Sequence, residues 1–229
     1  MNGIFPNWTG HPCYQTPILT MLFLNLTNPI YLLYNLSLSS ATFPDSWKVS
    51  YIRPILKSGN KSNVENYRPI SILSHIPKIF ESIITKKITP IFKNVLIEEQ
   101  HGFRSAKSTT TNLLSFINTI FSGLEDKSQV DVPYTDFSKA FDKVNHLILL
   151  AKLQAIGIRN PLLSFFNSYL SDRKQRVKIN NIESIIIKVT SGVPQGAHLA
   201  PLLFNLLKTT LLVFSLTHAF DFLLTTIRS

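Results

Sequence analysis

A single cysteine, Cys13, occurs in the sequence, which rules out an internal disulfide and any zinc site built from several cysteines. A reducing intracellular compartment, cytoplasmic or nuclear, fits that scarcity. Acidic side chains are also few: 13 Asp and Glu stand against 23 Lys and Arg, for a net charge of +10. This balance favours a polyanionic partner, either nucleic acid or an acidic membrane surface. No Asp, Glu, Lys or Arg precedes Asp45, so the apolar run from Ile18 to Leu38 has no basic flank to form a signal-peptide n-region or to set a membrane orientation. Its length approaches the ~20 residues of a membrane-spanning helix. Asn25, Asn28, Pro29 and Asn35 break it, however, and a pair of buried helices is the expectation. A second apolar stretch, Leu199 to Ile227, is interrupted by Lys208, His218 and Asp221. Neither is expected to insert stably in a membrane. No internal repeat or low-complexity tract is present, which argues against a solenoid.

What is present is apolar residue enough, 45%, for one sizeable core or two small ones, so the chain is expected to be globular rather than disordered. The positive charge is concentrated. Eleven Lys and Arg and four Glu lie between Ser46 and Thr110, so this stretch carries seven of the ten net charges. A strand is expected over Trp47 to Leu56, demoted to an edge by Pro54. A basic turn-forming loop follows at Lys57 to Asn63, and apolar spacing predicts a helix over Ile76 to Phe92. Ser108 or Thr109 is placed to cap another helix running through Leu113, Leu114, Ile117 and Ile120. A strand is expected from Val130 to Tyr134, then a helical face from Phe141 through Val144, Leu147, Ile148 and Leu150, closed by Gly157. Pro161 restarts a helix. Residues 176–179 and 182–189 read as a hairpin around Asn180-Asn181, since asparagine accepts the positive φ of a tight turn.

Three blocks concentrate chemistry-bearing residues. The first is Asn66-Tyr67-Arg68-Pro69-Ile70-Ser71-Ile72-Leu73, with Gln100-His101-Gly102-Phe103-Arg104 and Ser108-Thr109-Thr110 downstream. A guanidinium such as that of Arg68 matches two phosphate oxygens at once, although it can equally tie a fold together through carboxylates or carbonyls. The second runs from Tyr134 to His146 and places Asp136 at the end of an apolar strand. A carboxylate at a sheet rim suits a hard cation, and a turn or cap role is the bland alternative. Phe141, read without its neighbours, is core packing. The third is Ser191-Gly192-Val193-Pro194-Gln195-Gly196, followed by Pro201-Leu202-Leu203-Phe204-Asn205. Its glycines permit close backbone approach and the Gln195 amide both donates and accepts hydrogen bonds.

In this order, with Ser168-Tyr169-Leu170-Ser171-Asp172-Arg173 between the second and third, the blocks resemble the reverse transcriptases of non-LTR (LINE-type) retrotransposons over roughly Pro17 to Leu207. The resemblance implies an α+β, right-hand polymerase fold, with fingers at 46–125 and a partial palm at 126–207. These lie between an apolar helical segment at 1–45 and a divergent tail at 208–229. It further implies RNA-directed DNA polymerisation, a nucleotidyl transfer that uses an RNA template, a DNA primer, deoxynucleoside triphosphates and Mg2+. By the same resemblance Asp136 is the catalytic metal ligand, assisted by the carbonyl of Phe137. Arg68 and Lys57 grip the triphosphate, with Lys61 in the same loop as the alternative to Lys57. Phe141 excludes a 2′-hydroxyl, the group that separates RNA from DNA. Gln195 lies against the template and nucleotide, in a loop shaped by Gly192, Pro194 and Gly196. Asp142 is read as structural.

The sequence also departs from the family pattern. Ala197, His198 and Ala200 replace the usual serine, bulky apolar residue and glycine, and Pro133 removes a ladder donor just before Asp136. Lys208 to Ser229 lacks the Tyr/Phe-Ala-Asp-Asp motif that brings the remaining catalytic carboxylates, and no thumb is expected. The expectation is a truncated, catalytically incomplete reverse transcriptase domain. The alternatives are a nucleic-acid-binding remnant without catalysis and, more distantly, a membrane-associated protein that uses its apolar ends.

Overall fold

The computed structural model describes residues 17–132, 139–180 and 182–209, with backbone only for 17–24. The chain runs α1 (Pro17–Ser39), β1 (Val49–Leu56), β2 (Tyr67–Ile72), α2 (His75–Lys93), α3 (Thr109–Glu125), α4 (His146–Ala155) and α5 (Leu162–Leu170). It continues through β3 (Lys174–Ile179), β4 (Ile182–Glu183) and β5 (Ile187–Lys188). Residues 199–209 form a further helix, α6. Among the described residues the result is a mixed α and β fold with one sheet.

Strand order is β2-β1-β3-β4, with β5 also on β3. β1 pairs antiparallel with β2 and parallel with β3, so it is central and not the edge expected from Pro54. The β1–β3 pairing ends at Ile52↔Val177, and Pro54 lies beyond it, opposite Pro69 of β2. Proline is tolerated because no ladder donor is needed there. The expected hairpin forms, with Asn180 at φ +54°. Its return strand is broken: the Ser184 Oγ takes the Val177 N–H at 2.9 Å, and pairing resumes only at β5.

Helix ends follow capping chemistry. Ser108 and Thr111 form a reciprocal box at the start of α3, and Gly157, at φ +96°, closes α4. α4 begins at His146, later than the expected start near Phe141, because Asn145 Oδ1 accepts from the N–H of Leu147 (2.9 Å) and Ile148 (3.1 Å). Residues 139–143 are instead a turn, with Lys139 at φ +55°. Replacing Asn145 by Ala is expected to lower the unfolding free energy by about 1 kcal/mol, as read from urea titration, by stripping both capped donors. Residues 130–132 are not strand, although a strand was expected from Val130; Gln129 bonds to the Asp131 carboxylate (2.9 and 3.1 Å) and Pro133 follows. The rest of that expectation lies outside the described residues.

The core is aromatic where α1, α2 and α5 meet. Tyr34 stacks on Phe80 at 4.4 Å, and Phe43 packs edge-on against Trp47, Phe165 and Tyr169. Leu149 and Leu153 of α4 and Leu199 and Leu203 of α6 extend it. Each such side chain contributes roughly 1.5–3 kcal/mol by leaving water. The segment expected as two buried helices is a single helix containing Pro29, and Tyr31, Leu32 and Leu36 on it are exposed. No side chain of α3 is fully buried: Leu113 and Leu114 of its expected apolar face are exposed, and Ile117 and Ile120 are half-buried. Among the described residues no helix is long and apolar enough to cross a membrane.

Candidate nucleotide-binding cleft

Backbone contacts lock the three sequence blocks together. The Gly192 N–H donates to the Val144 carbonyl and the Val193 N–H to the Phe141 carbonyl, both at 2.8 Å. Ser191 Oγ donates to the Asp142 carbonyl at 2.9 Å, and His146 Nε2, protonated to suit its partner, reaches the Gly192 carbonyl at 2.8 Å. On the other side of the loop the Ser71 N–H of β2 donates to the Gln195 carbonyl at 2.7 Å. Glycine is required at both joints. A Cβ on Gly192 would stand 2.8 Å from the Asp142 Cα, and one on Gly196 2.8 Å from the Ser71 carbonyl oxygen.

These joints frame an open cavity of about 1500 Å³ whose lining includes Lys57, Lys61, Arg68, Phe141, Asp142 and Gln195. The Lys57–Asn66 loop is closed by the Lys57 N–H on the Asn66 carbonyl (2.8 Å) and by Tyr67 Oη on the Lys61 carbonyl (2.9 Å). Lys57 and Lys61 both line the same cavity as Arg68. Phe141 is half-buried, stacked on Phe204 at 4.9 Å and edge-on to Phe103 at 6.2 Å, which makes a firm aromatic floor. Gly192, Pro194 and Gly196 do not line the cavity; they shape the loop that presents Gln195. Asp136 and Phe137 lie outside the described residues. Among the described residues no three His, Cys, Asp or Glu side chains are grouped to hold a metal ion.

One anchor behind the cleft has no counterpart in the sequence reading. Glu81 of α2 is fully buried, and its Oε2 accepts from the N–H of His198 (2.9 Å) and Leu199 (3.3 Å), the first donors of α6. Burial pushes its carboxyl above the usual range, opposed by the Arg173 charge and by those two N–H groups. Arg173, itself buried, lies over the Phe43 and Tyr169 rings and donates to the Tyr169 carbonyl at 3.1 Å. Burial, Lys78 and Lys86 hold the His198 imidazole below its ordinary value. A buried carboxyl anchor 117 residues from its partner leaves no local pattern to read. Asp142, which sequence reading takes as a first-turn residue of a helix, instead lines the cleft from the turn before α4.

The cleft is cationic, floored by aromatic rings and closed by a glycine-framed loop. Residues 55–220 match the family model "Reverse transcriptase (RNA-dependent DNA polymerase)", and the chain belongs to that family. It is 33% identical over 82% of its length to the "Probable RNA-directed DNA polymerase from transposon BS" of Drosophila melanogaster. It is 30% identical over 76% of its length to the "RNA-directed DNA polymerase from mobile element jockey" of the same species. Identity is 29% over 71% of the chain to the "Retrovirus-related Pol polyprotein from type-1 retrotransposable element R2" of Popillia japonica. These are non-LTR elements, as the sequence blocks imply. The chain spans about one fifth of the length of these relatives, 20%, 19% and 23% respectively.

Proposed function

We propose that the cleft is the substrate-binding part of an RNA-directed DNA polymerase of the right-hand type, with fingers over 46–125 and part of the palm over 126–207. The backbone joints between Ser71, Gln195, Gly192 and Phe141 support this reading most, because they bring all three blocks to one cavity. Arg68 and Lys57 bind the triphosphate of a deoxynucleotide. Phe141, held by Phe204, supports the sugar and leaves no room for a 2′-hydroxyl. Gln195 lies against the nucleotide as it pairs with an RNA template, and a DNA primer supplies the attacking 3′-hydroxyl.

Asp136 and the Phe137 carbonyl are the groups proposed to hold Mg2+, which when bound neutralises charge on the attacking and leaving oxygens. The described residues do not complete such a site. After Asp142 the chain has only Asp172, Glu183 and Asp221 as carboxylates. Asp172 is paired with Lys188 at 2.8 Å and Glu183 with Arg176 at 2.6 Å. The chain by itself is therefore proposed to bind nucleotide and RNA without polymerising.

Nucleotide binding and primer extension test this together. Arg68→Ala is expected to weaken deoxynucleoside triphosphate binding by about 10- to 100-fold, the worth of its charge-assisted hydrogen bonds. Unchanged binding in that variant removes the assignment of Arg68. Extension of a primer on RNA with Mg2+ should be absent for both the native chain and Asp136→Ala. Extension by the native chain, abolished in Asp136→Ala, means that the chain is catalytically complete.

A further inference from the structure

The Phe141 ring stands in a turn, not on a helix or strand, so its position depends on what packs against it. Phe204 lies against its face, with centroids 4.9 Å apart and planes at 23°, and Phe103 meets it edge-on at 6.2 Å and 85°. The two supports differ in kind. Phe204 belongs to α6 and is half-buried. Phe103 belongs to the loop between α2 and α3 and is 67% exposed, so burial does not hold it in place. Its backbone lies at φ +56°, a left-handed conformation that a bulky side chain keeps only where its surroundings impose it.

Two buried amides impose it. Gln100, 5% exposed, donates from Nε2 to the Gly102 carbonyl at 3.1 Å and to Asn205 Oδ1 at 3.2 Å. Asn205, 1% exposed, donates from Nδ2 to the same Gly102 carbonyl at 2.9 Å. The partners fix how the Asn205 amide points: turned over, it would set Nδ2 against the Gln100 donor and Oδ1 against a carbonyl. Apolar side chains could fill this space, but only directional bonds fix the Gly102 carbonyl, and with it the residue that follows. On the other side of Phe103, Arg104 ties down its own flank by donating to the Ile97 carbonyl. Asn205 adjoins Phe204, so α6 carries both the stacking ring and half of the clamp that sets the edge-on ring.

We propose that Gln100 and Asn205 are positioning residues for sugar selectivity: by fixing Gly102 they seat Phe103 against Phe141 and keep the Phe141 ring where a 2′-hydroxyl would stand. Neither lines the cavity, so each acts through the rings. Their role rests on the reading of Phe141 as the group that supports the sugar, and it adds what holds that group still. With the clamp open, Phe103 leaves its seat, the Phe141 ring swings towards the vacated side, and room opens beside the sugar. The consequence is specific. A ribonucleotide gains affinity relative to a deoxynucleotide, while the cations that meet the triphosphate are untouched.

The test is equilibrium binding of dCTP and CTP to the whole chain, read as the ratio of the CTP to the dCTP dissociation constant. Excluding one group of methylene size is worth roughly 10- to 200-fold to a pocket, and opening the clamp should remove about 3- to 10-fold of it. Asn205→Leu, which keeps the volume and discards both hydrogen bonds, should lower the ratio by that much through tighter CTP binding, a gain that misfolding cannot mimic. Because Asn205 is buried, Phe103→Ala is the second variant: its exposed ring can be removed without emptying the core, and the ratio should fall equally. Phe103→Tyr keeps an edge-on ring and should keep the native ratio. The proposal is overturned if Phe103→Ala keeps the native ratio, if a folded Asn205→Leu keeps it, or if Phe103→Tyr loses as much as Phe103→Ala. Phe141→Ala separates the clamp from the cleft reading. A ratio that collapses in Phe141→Ala but survives in Phe103→Ala and Asn205→Leu removes only the clamp, whereas a ratio unchanged in Phe141→Ala removes the reading of Phe141 and the clamp with it.

Discussion

Glu81→Ala is expected to destabilise the chain by about 2–5 kcal/mol, because it empties a fully buried site of the carboxyl group that anchors the start of α6. The loss is compounded at α6, where the His198 and Leu199 N–H groups lose the oxygen that accepts them at 2.9 and 3.3 Å. Against a typical domain stability of about 5–15 kcal/mol this is enough to populate unfolded chain at equilibrium. The surviving folded molecules should have a looser 192–200 loop, visible as faster amide exchange there. Glu81→Gln separates the contributions: it keeps an acceptor for α6 and discards the charge. Its pH dependence has a definite sign. The folded state holds the Glu81 proton more tightly than the unfolded state does, so native stability falls as pH rises from the ordinary carboxylate value through the raised one. Below that window Glu81 is protonated in both states and contributes no slope. Relative to Glu81→Gln, the native chain should therefore lose stability in urea titrations as pH climbs through the window. A difference between the two proteins that does not change with pH would show that Glu81 is not held above its ordinary value. A cost for Glu81→Ala under about 1 kcal/mol, the scale of a single ordinary hydrogen bond, would remove the anchor role altogether.

Residues that act on their own backbone were legible in the sequence. The Ser108 cap, the Gly157 helix end and the Asn180 turn each depend on one side chain's local chemistry. The members of the cleft were legible for a different reason. Arg68, Phe141 and Gln195 stand in blocks whose wording is family text, and the structure places all three around one cavity. What failed was inference from apolar periodicity to burial. In α2 both Ile83 and Ile84 fit a helical face, yet Ile84 is buried and Ile83 exposed, since the partner surface decides which edge of the stripe is covered. In α4 the expected face held Leu147 and Ile148, while Leu149 and Leu153 are the buried pair, because the Asn145 cap sets where the helix begins. Pro54 misled for a comparable reason: the parallel partner of β1 comes from the far side of the chain, at Lys174 to Val177, and where it stops cannot be read locally. Glu81 was missed outright, since a glutamate among lysines on a helix reads as solvated surface.

At Gly192 the cost of adding one methyl group can be divided into two parts. The residue sits at φ +88°, where an L side chain is strained by about 1–2 kcal/mol. Its Cβ would also meet three backbone atoms at 2.8 Å, the Asp142 Cα and the carbonyl oxygens of Phe141 and Asp142. None of them belongs to a flexible side chain that could swing aside, so the loop itself must move, at roughly 1–3 kcal/mol for an overpacked site. Gly192→Ala should therefore cost about 2–5 kcal/mol in urea titration. Gly157 supplies the comparison within the same chain. It has φ +96° but nothing within 4 Å of a built Cβ, so Gly157→Ala should show the backbone strain alone. The two variants should differ in function as well. Moving the 192–195 loop away from Phe141 and Asp142 breaks the Gly192 to Val144 and Val193 to Phe141 hydrogen bonds and carries Gln195 out of the cleft. Nucleotide binding should then fall in Gly192→Ala even at temperatures where the protein remains folded, and should be retained in Gly157→Ala. If both substitutions cost the same and both leave binding intact, the close approach at Gly192 does not organise the cleft, and the joint between the second and third blocks is only a point of packing.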